Sequence, residues 1–203
     1  RQVEAMGGCE MGLVMGDVEE VLSLFNKGDH ISPYKIAMRK NDDPAEEMIS
    51  GRINAMPGYI GGSFDMAGIK WIGSNPHNHE IGLPRATALV ILNDPATKLA
   101  IAVMDGTDIS AKRTGAVSGV AVKYLANRDV KEATIVGAGV QGRTQLEAIM
   151  VARPKIKTIH IYDLYPSASQ AYAKEMQQKL NVPVVVAEGL AGLEAACRRS
   201  DII

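Results

Sequence analysis

Two cysteines, Cys9 and Cys197, stand alone in unlike contexts in a chain of 203 residues. That is too little for a disulfide framework or a paired-cysteine metal site, so a reducing cytoplasm is the expected setting. Charge of one sign is also lacking: 22 Lys and Arg face 23 Asp and Glu, a formal net charge of −1. Such a balance gives no footprint for nucleic acid or an anionic membrane. No run approaches the roughly 18 apolar residues that a membrane-spanning helix needs, and no signal-peptide pattern opens the chain. Internal repeats, low-complexity tracts and GxSxG, HExxH or paired-carboxylate signatures are missing too. What is present is an ordinary globular composition, 46% hydrophobic and 22% charged, able to bury a substantial core in one large domain or two small ones. The chain starts at Arg1 without an initiator Met, and Ser200-Asp-Ile-Ile203 reads as the opening of a buried strand. The sequence is therefore expected to be part of a longer protein.

Periodicity divides the chain. Asp17 to Phe25 reads as an amphipathic helix with Asp17 at its N-cap and apolar residues at 18, 21, 22 and 25. Strand-like runs follow at Ile31 to Arg39, Arg52 to Ile60, Phe64 to Ile72, Arg85 to Leu92 and Leu99 to Met104. Turn-rich breaks separate them, among them Asn41-Asp-Asp-Pro44, Gly61-Gly-Ser63 and Asn93-Asp-Pro95, the last suggesting a hairpin. Ser110 to Ala126 is rich in small residues and reads as a helix packed closely on a neighbour. Gly115 and Gly119 each cost roughly 1 kcal/mol of helix propensity relative to Ala, a cost that close backbone approach explains. After Asn127-Arg-Asp129 the rhythm is strictly α/β. Strands are expected at Ala133 to Val136, Thr158 to Tyr162, Val182 to Ala187 and from Asp201. Helices are expected at Gln141 to Arg153, Ser167 to Leu180 with a Ser cap, and Leu190 to Arg199. That alternation predicts a parallel sheet.

Gly137-Ala-Gly139-Val-Gln-Gly142 follows a strand and opens a helix. Gly137 allows the tight turn, Gly139 lets backbone approach a pyrophosphate, and Gly142 permits close helix–strand packing. The helix N-terminus then offers free N–H groups and a positive dipole end. Asp163 closes the second strand, where a carboxylate accepts from adenosine ribose hydroxyls and repels a 2′-phosphate, so NAD is the expected cofactor. The competing view is a glycine turn with a solvated Asp.

Four cations sit in apolar surroundings. Lys70, in Ala-Gly-Ile-Lys-Trp-Ile-Gly, either faces solvent on an alternating strand or points into a site. Arg113 lies in the small-residue helix and either snorkels to the surface or serves a ligand. Lys35 and Arg85 are surface charges by default. Together the four suit a site for an amino-acid carboxylate and a dinucleotide pyrophosphate. His77-Asn-His79 lacks a third ligand at suggestive spacing and reads as polar loop, so no metal is expected. The methionines, Met6 and Met11 among them, read as core filler.

Gly68-Ile-Lys-Trp-Ile-Gly-Ser-Asn-Pro76, Gly82-Leu-Pro-Arg-Ala-Thr-Ala88, the run from Val103 to Ser118, and Ile135-Val-Gly-Ala-Gly-Val-Gln-Gly142 come in this order. The combination resembles the ornithine cyclodeaminase/μ-crystallin family, from about Met56 onward. The resemblance implies an α/β fold: a Rossmann-type parallel sheet over residues 130–203, incomplete after the start of its fourth strand. An α+β substrate-binding and dimerisation domain, residues 1–129, precedes it. It implies NAD(H)-dependent chemistry at the Cα–N bond of a small amino acid or imine, in a homodimer without nucleic-acid or membrane partners. Lys70 and Arg113 are the implied catalytic residues, and Lys35, Lys70 and Arg113 the implied carboxylate clamp. Arg85, Arg113, Gly137, Gly139, Val140, Gln141, Gly142 and Asp163 are implied at the cofactor.

Two positions depart from the cyclodeaminase pattern. Lys35 stands where those enzymes place a substrate-binding arginine, and Asn54 where they carry a glutamate. Lysine lacks the bidentate fork and Asn cannot act as a base, which points away from ornithine cyclisation and toward an amino-acid dehydrogenase or imine reductase. The family's catalytic aspartate falls beyond Ile203, so the fragment alone is expected to be inactive. A non-catalytic, cofactor-binding accessory protein like μ-crystallin is the alternative.

Overall fold

The computed structural model describes residues 2–39 and 51–203; the turn expected at Asn41-Asp-Asp-Pro44 lies outside them. In chain order come α1 (Gln2–Ala5), α2 (Met11–Lys27), β1 (His30–Ile31), β2 (Ile36–Met38), β3 (Arg52–Ile60) and β4 (Met66–Ser74). A short 3-10 helix (Pro76–Ile81) leads to β5 (Ala86–Asn93), β6 (Ala100–Asp105) and α3 (Thr107–Leu125). Then β7 (Glu132–Val136), α4 (Val140–Ala152), β8 (Thr158–Tyr162), α5 (Pro166–Leu180), β9 (Val184–Val186) and α6 (Gly189–Arg199) alternate. The backbone gathers into two compact units, Glu20–Ser110 and Arg1–Glu19 with Ala111–Ile203.

In Glu20–Ser110, β3, β4, β5 and β6 form an antiparallel meander, and β1 and β2 both pair with β3. The Asn93-Asp-Pro95 break joins β5 to β6 as a hairpin. The Asp94 carboxylate accepts from the Thr97 amide at 2.6 Å, and Lys98 takes a left-handed φ of 64°. Strand side chains alternate, so the register assigns faces. Trp71 pairs with Ala55 and Leu89, and Val103 with Ile91, which puts Ile36, Ile53, Trp71, Leu89 and Val103 on one face. These apolar side chains are exposed, Val103 to 66% and Trp71 to 42%. Asn54, Lys70 and Ala88 occupy the opposite face, which is covered: Ala88 and Asn54 are buried.

The run expected as one strand from Ile31 to Arg39 breaks into β1 and β2 around Ser32-Pro-Tyr-Lys35. Proline has no amide to give to the ladder, so pairing stops there. Lys35 thus lies between strands rather than in one.

In the other unit β7, β8 and β9 run parallel in that order, and Ile202 bridges Ala133 in parallel. The core is apolar and closed: Leu146, Ile159, Ile161, Tyr172 and Met176 are fully buried. The two glycines of α3 have the close contacts their cost suggested. A methyl added at Gly115 would lie 2.5 Å from Thr144 backbone, and at Gly119 2.7 Å from the Ala148 Cβ. Glu147 is buried on α4 between the ammonium groups of Lys112 and Lys179. Burial opposes its charge, but the two ammonium groups outweigh that and hold its carboxyl below the usual carboxylate range.

Three local expectations need correction. α2 begins at Met11, not after Asp17, because the Glu10 carboxylate accepts from the Gly12 and Leu13 amides at 3.0 and 2.8 Å. Burial of Met11 and Met15 against Ala116, Val120 and Ala148 draws the extra turns into helix. Met6 is not core filler; it is 86% exposed. α5 has no Ser cap: it starts at Pro166 after Tyr165, with no side-chain cap bond. Proline at the first helical position needs no N–H partner.

Candidate functional site

The loop after β7 is shaped by its glycines. Gly137 has a φ of +107°, a conformation that L side chains rarely adopt, and its amide donates to the Tyr162 carbonyl at 2.8 Å. Gly139 caps α4 with extended backbone and no side-chain cap bond, so the first-turn amides carry no capping side chain. Side chains added at Gly137 or Gly139 would meet nothing within 4 Å, whereas one at Gly142 would meet the Gly137 carbonyl at 2.1 Å. The first two glycines thus border open space, and the third closes the turn onto the helix. Val140 and Gln141 are exposed beside them.

Asp163 stands directly against this turn. One carboxylate oxygen accepts the Ala138 amide at 2.8 Å, and the other accepts the Tyr165 amide at 2.9 Å. These bonds fix the carboxylate at the end of β8 and leave its remaining lone pairs for a ligand.

Sequence reasoning missed Arg143. Its guanidinium donates to the Ala138 carbonyl and to the Gly139 carbonyl at 3.2 Å. It is held from outside by Glu175 at 2.8 to 2.9 Å and lies 5.1 Å from the centroid of the Tyr172 ring. Tyr172 is fully buried, donates to the Gly142 carbonyl at 2.9 Å, and has its pKa pushed up by burial. Arg143 and Tyr172 therefore brace the carbonyl side of the turn. The available signal was position: Arg143 directly follows the last motif glycine.

Of the four cations, Lys70 is the most enclosed. It sits mid-strand on the covered face of β4, partly buried, and its Nζ donates to Ser110 Oγ at 3.1 Å. On the same face Asn54 is 9% exposed, with a buried Oδ1 that has no hydrogen-bond partner among the described residues. Lys35 is exposed. It precedes Ile36, the partner of Ala55, which sets it level with Lys70 but two strands away, about 10 Å. Arg85 is exposed just before β5, five residues along the register from Lys70, roughly 16 Å. Arg113 belongs to the other compact unit. It is exposed by area, yet surrounding protein desolvates it enough to lower its pKa; a guanidinium so lowered remains cationic.

The loop histidines have other partners: His77 Nδ1 lies 2.7 Å from the Glu80 carboxylate and His79 Nδ1 2.6 Å from the Pro76 carbonyl. Among the described residues no group of three or more His, Cys, Asp or Glu is placed to hold a metal ion, and no helix is long and apolar enough to cross a membrane.

The family profile described as ornithine cyclodeaminase/mu-crystallin matches residues 1–203. The chain belongs to this family. A curated family relative is the N-((2S)-2-amino-2-carboxyethyl)-L-glutamate dehydrogenase of Staphylococcus aureus, 36% identical over 178 residues. That match covers 87% of this chain and 52% of the relative. A solved structure, the Thermococcus litoralis Delta(1)-pyrroline-2-carboxylate reductase with NADH and L-proline, superposes with a TM-score of 0.85 at 36% identity. It covers 95% of this chain and 56% of that one. An archaeal alanine dehydrogenase dimer with bound NAD gives 0.77 at 32%, over 90% and 53% of the two chains. The chain spans about half the length of the curated relatives it matches.

Proposed function

We propose that this family member is part of an NAD(H)-dependent oxidoreductase acting at the Cα–N bond of a small amino acid or cyclic imine. The observation that carries this is the open glycine turn with the Asp163 carboxylate docked on it. The turn fits a dinucleotide on its own geometry: space beyond Gly137 and Gly139, an α4 N-terminus without a side-chain cap, and a fixed acceptor beside it. Residues 130–203 would form the opening part of a Rossmann-type sheet, with residues 1–129 as the substrate-binding and dimerisation domain.

Gly137, Gly139, Val140, Gln141 and Gly142 would hold the diphosphate and Asp163 the ribose diol, where a carboxylate disfavours a 2′-phosphate. Arg85 would lie near the phosphates, and Arg113 at the substrate carboxylate and the nicotinamide. Bound there, the nicotinamide supplies a two-electron hydride acceptor or donor. Lys70 supplies the charge that anchors the substrate α-carboxylate, assisted by Lys35 and Arg113, so that Cα is held in one orientation. Ser110, which accepts from Lys70 Nζ, fixes the direction of that ammonium.

The test uses full-length protein. Amino acids are incubated with NAD⁺, and Δ1-pyrroline-2-carboxylate with NADH, while nicotinamide absorbance and free ammonia are followed. Net NADH identifies a dehydrogenase, consumption of NADH by the imine a reductase, and ammonia without net NADH a cyclodeaminase. Tight NADH binding with none of these sinks the enzymatic proposal in favour of a carrier like μ-crystallin.

The exposed apolar face of the β1–β6 sheet supports a homodimer. A contiguous face of Ile36, Ile53, Trp71, Leu89 and Val103 left in water is unfavourable, and a second copy presents the same surface for isologous packing. Sedimentation equilibrium of full-length protein should give a dimer, and Val103→Lys should shift it to monomer at micromolar concentration. A monomeric wild type refutes the dimer.

A further inference from the structure

Arg143 is a cation at the wrong end of its helix. It lies in the first turn of α4, where the positive end of the helix dipole disfavours a guanidinium. Its partners offset that. Nη1 donates to the carbonyls of Ala138 and Gly139, while Nε and Nη2 lie 2.9 and 2.8 Å from one oxygen of Glu175 on α5. The guanidinium carbon is also 5.1 Å from the centroid of the Tyr172 ring. One planar group thus joins the glycine turn to α5.

The consequence falls on the opposite edge of the two peptides. A trans peptide is planar, with its N–H pointing away from its C=O. The cation that holds the Ala138 and Gly139 carbonyls therefore also directs the Gly139 and Val140 amides, away from itself. Those amides begin α4, which has no side-chain cap. Packing does not set them, because side chains added at Gly137 or Gly139 would meet no described atom within 4 Å. The ribose end of the turn is fixed by other bonds, the Gly137 amide to the Tyr162 carbonyl and the Ala138 amide to Asp163.

We infer that Arg143 is a positioning residue for the dinucleotide: clamped by Glu175, it aims the Gly139 and Val140 amides at the diphosphate without touching it. The inference rests on the dinucleotide reading proposed above. It adds to that site a pair of residues on α4 and α5 that the glycine motif does not contain.

The experiment titrates full-length protein with NADH and ADP-ribose, and with adenosine by competition, in wild type, Arg143→Met, Arg143→Lys and Glu175→Gln. Arg143→Met should weaken NADH and ADP-ribose about tenfold, the scale of one hydrogen bond to backbone. Adenosine has no phosphate and should change less than about threefold, because the bonds of Asp163 stay in place. Arg143→Lys keeps the charge but not the fork, so it should stay within about threefold of Arg143→Met. Glu175→Gln removes a negative charge yet should weaken NADH about threefold, because the guanidinium loses its clamp. Tm reports folding, and Glu175→Gln leaves Arg143 in place, so a comparison survives if the Arg143 variants fail to fold. Unchanged NADH affinity in the folded variants overturns the inference, as does an equal loss of adenosine, which marks a merely structural role. Full recovery in Arg143→Lys or tighter binding in Glu175→Gln overturns it too, because charge alone would then be acting. A wild type that binds neither NADH nor ADP-ribose overturns the dinucleotide reading beneath it, a separate failure.

Discussion

Replacing Lys70 with methionine in the full-length protein lowers kcat/KM for its amino-acid or imine substrate at least about a thousandfold, while NADH affinity changes less than about threefold. The size follows from where the lysine sits. It lies mid-strand on the covered face, partly buried, with its ammonium directed by Ser110. A carboxylate bound there exchanges water for a charge-assisted hydrogen bond in a partly desolvated setting. Methionine keeps the length and apolar stem but leaves the substrate carboxylate unpaired. Loss of a paired, desolvated charge is worth about 4 kcal/mol, which is a thousandfold. NADH affinity is the control, because the glycine turn and Asp163 lie in the other compact unit. Steady-state kinetics with fluorescence titration of NADH separates the two. Retained turnover within tenfold of wild type sinks the carboxylate-anchor assignment, and a parallel loss of NADH binding shows a structural role instead.

The positions where sequence and structure agree share a physical cause. β3 spans Arg52–Ile60 and β8 spans Thr158–Tyr162, as periodicity and flanking turns indicate. Both are bounded by residues that stop a ladder, and both have side chains whose alternation or continuous apolarity fits one environment. The glycine turn was legible because its chemistry is local: glycines at fixed offsets, then a carboxylate at the end of the next strand. The structure puts that carboxylate in hydrogen-bond contact with the turn.

Disagreements arise where long-range contacts decide. Gly12 and Gly16 weaken the N-terminal half of α2 as a helix, yet Met11 and Met15 gain burial against α3 and α4 residues that no local window contains. Asp17 looks like a cap but lies inside the helix. Arg143 had only its place after Gly142 to distinguish it. Its partners, Glu175 and Tyr172, are about thirty positions away and become visible only when α5 packs on α4. The choice left open at Lys70, solvent or site, likewise needed the register. On β4 the register puts Trp71, which is exposed, on one face and Lys70, which is partly buried, on the other, a distinction that flips with a slip of one residue.

Gly139→Val abolishes measurable NADH binding, raising Kd at least about a hundredfold, while the protein stays folded. The expectation rests on a separation among the three motif glycines. Gly137 needs its φ of +107°, so any side chain there strains the backbone. Gly142 faces the Gly137 carbonyl at 2.1 Å, so valine there would break the turn itself and confuse binding with folding. Gly139 has a φ of −84° and a ψ of −169°, open to any residue. Its added Cβ meets nothing within 4 Å. Valine is therefore tolerated by the fold at the cost of about 1 kcal/mol that a poor N-cap residue carries. Its branched side chain instead fills the space at the α4 N-terminus, where diphosphate oxygens must approach the backbone amides closely. A hundredfold loss corresponds to about 2.7 kcal/mol, comparable to two charge-assisted hydrogen bonds. Calorimetric titration of full-length protein with NADH, set beside its urea unfolding curve, decides the matter. An unaltered Kd in a stably folded variant shows that dinucleotide does not lie across this turn, and the cofactor assignment falls with it.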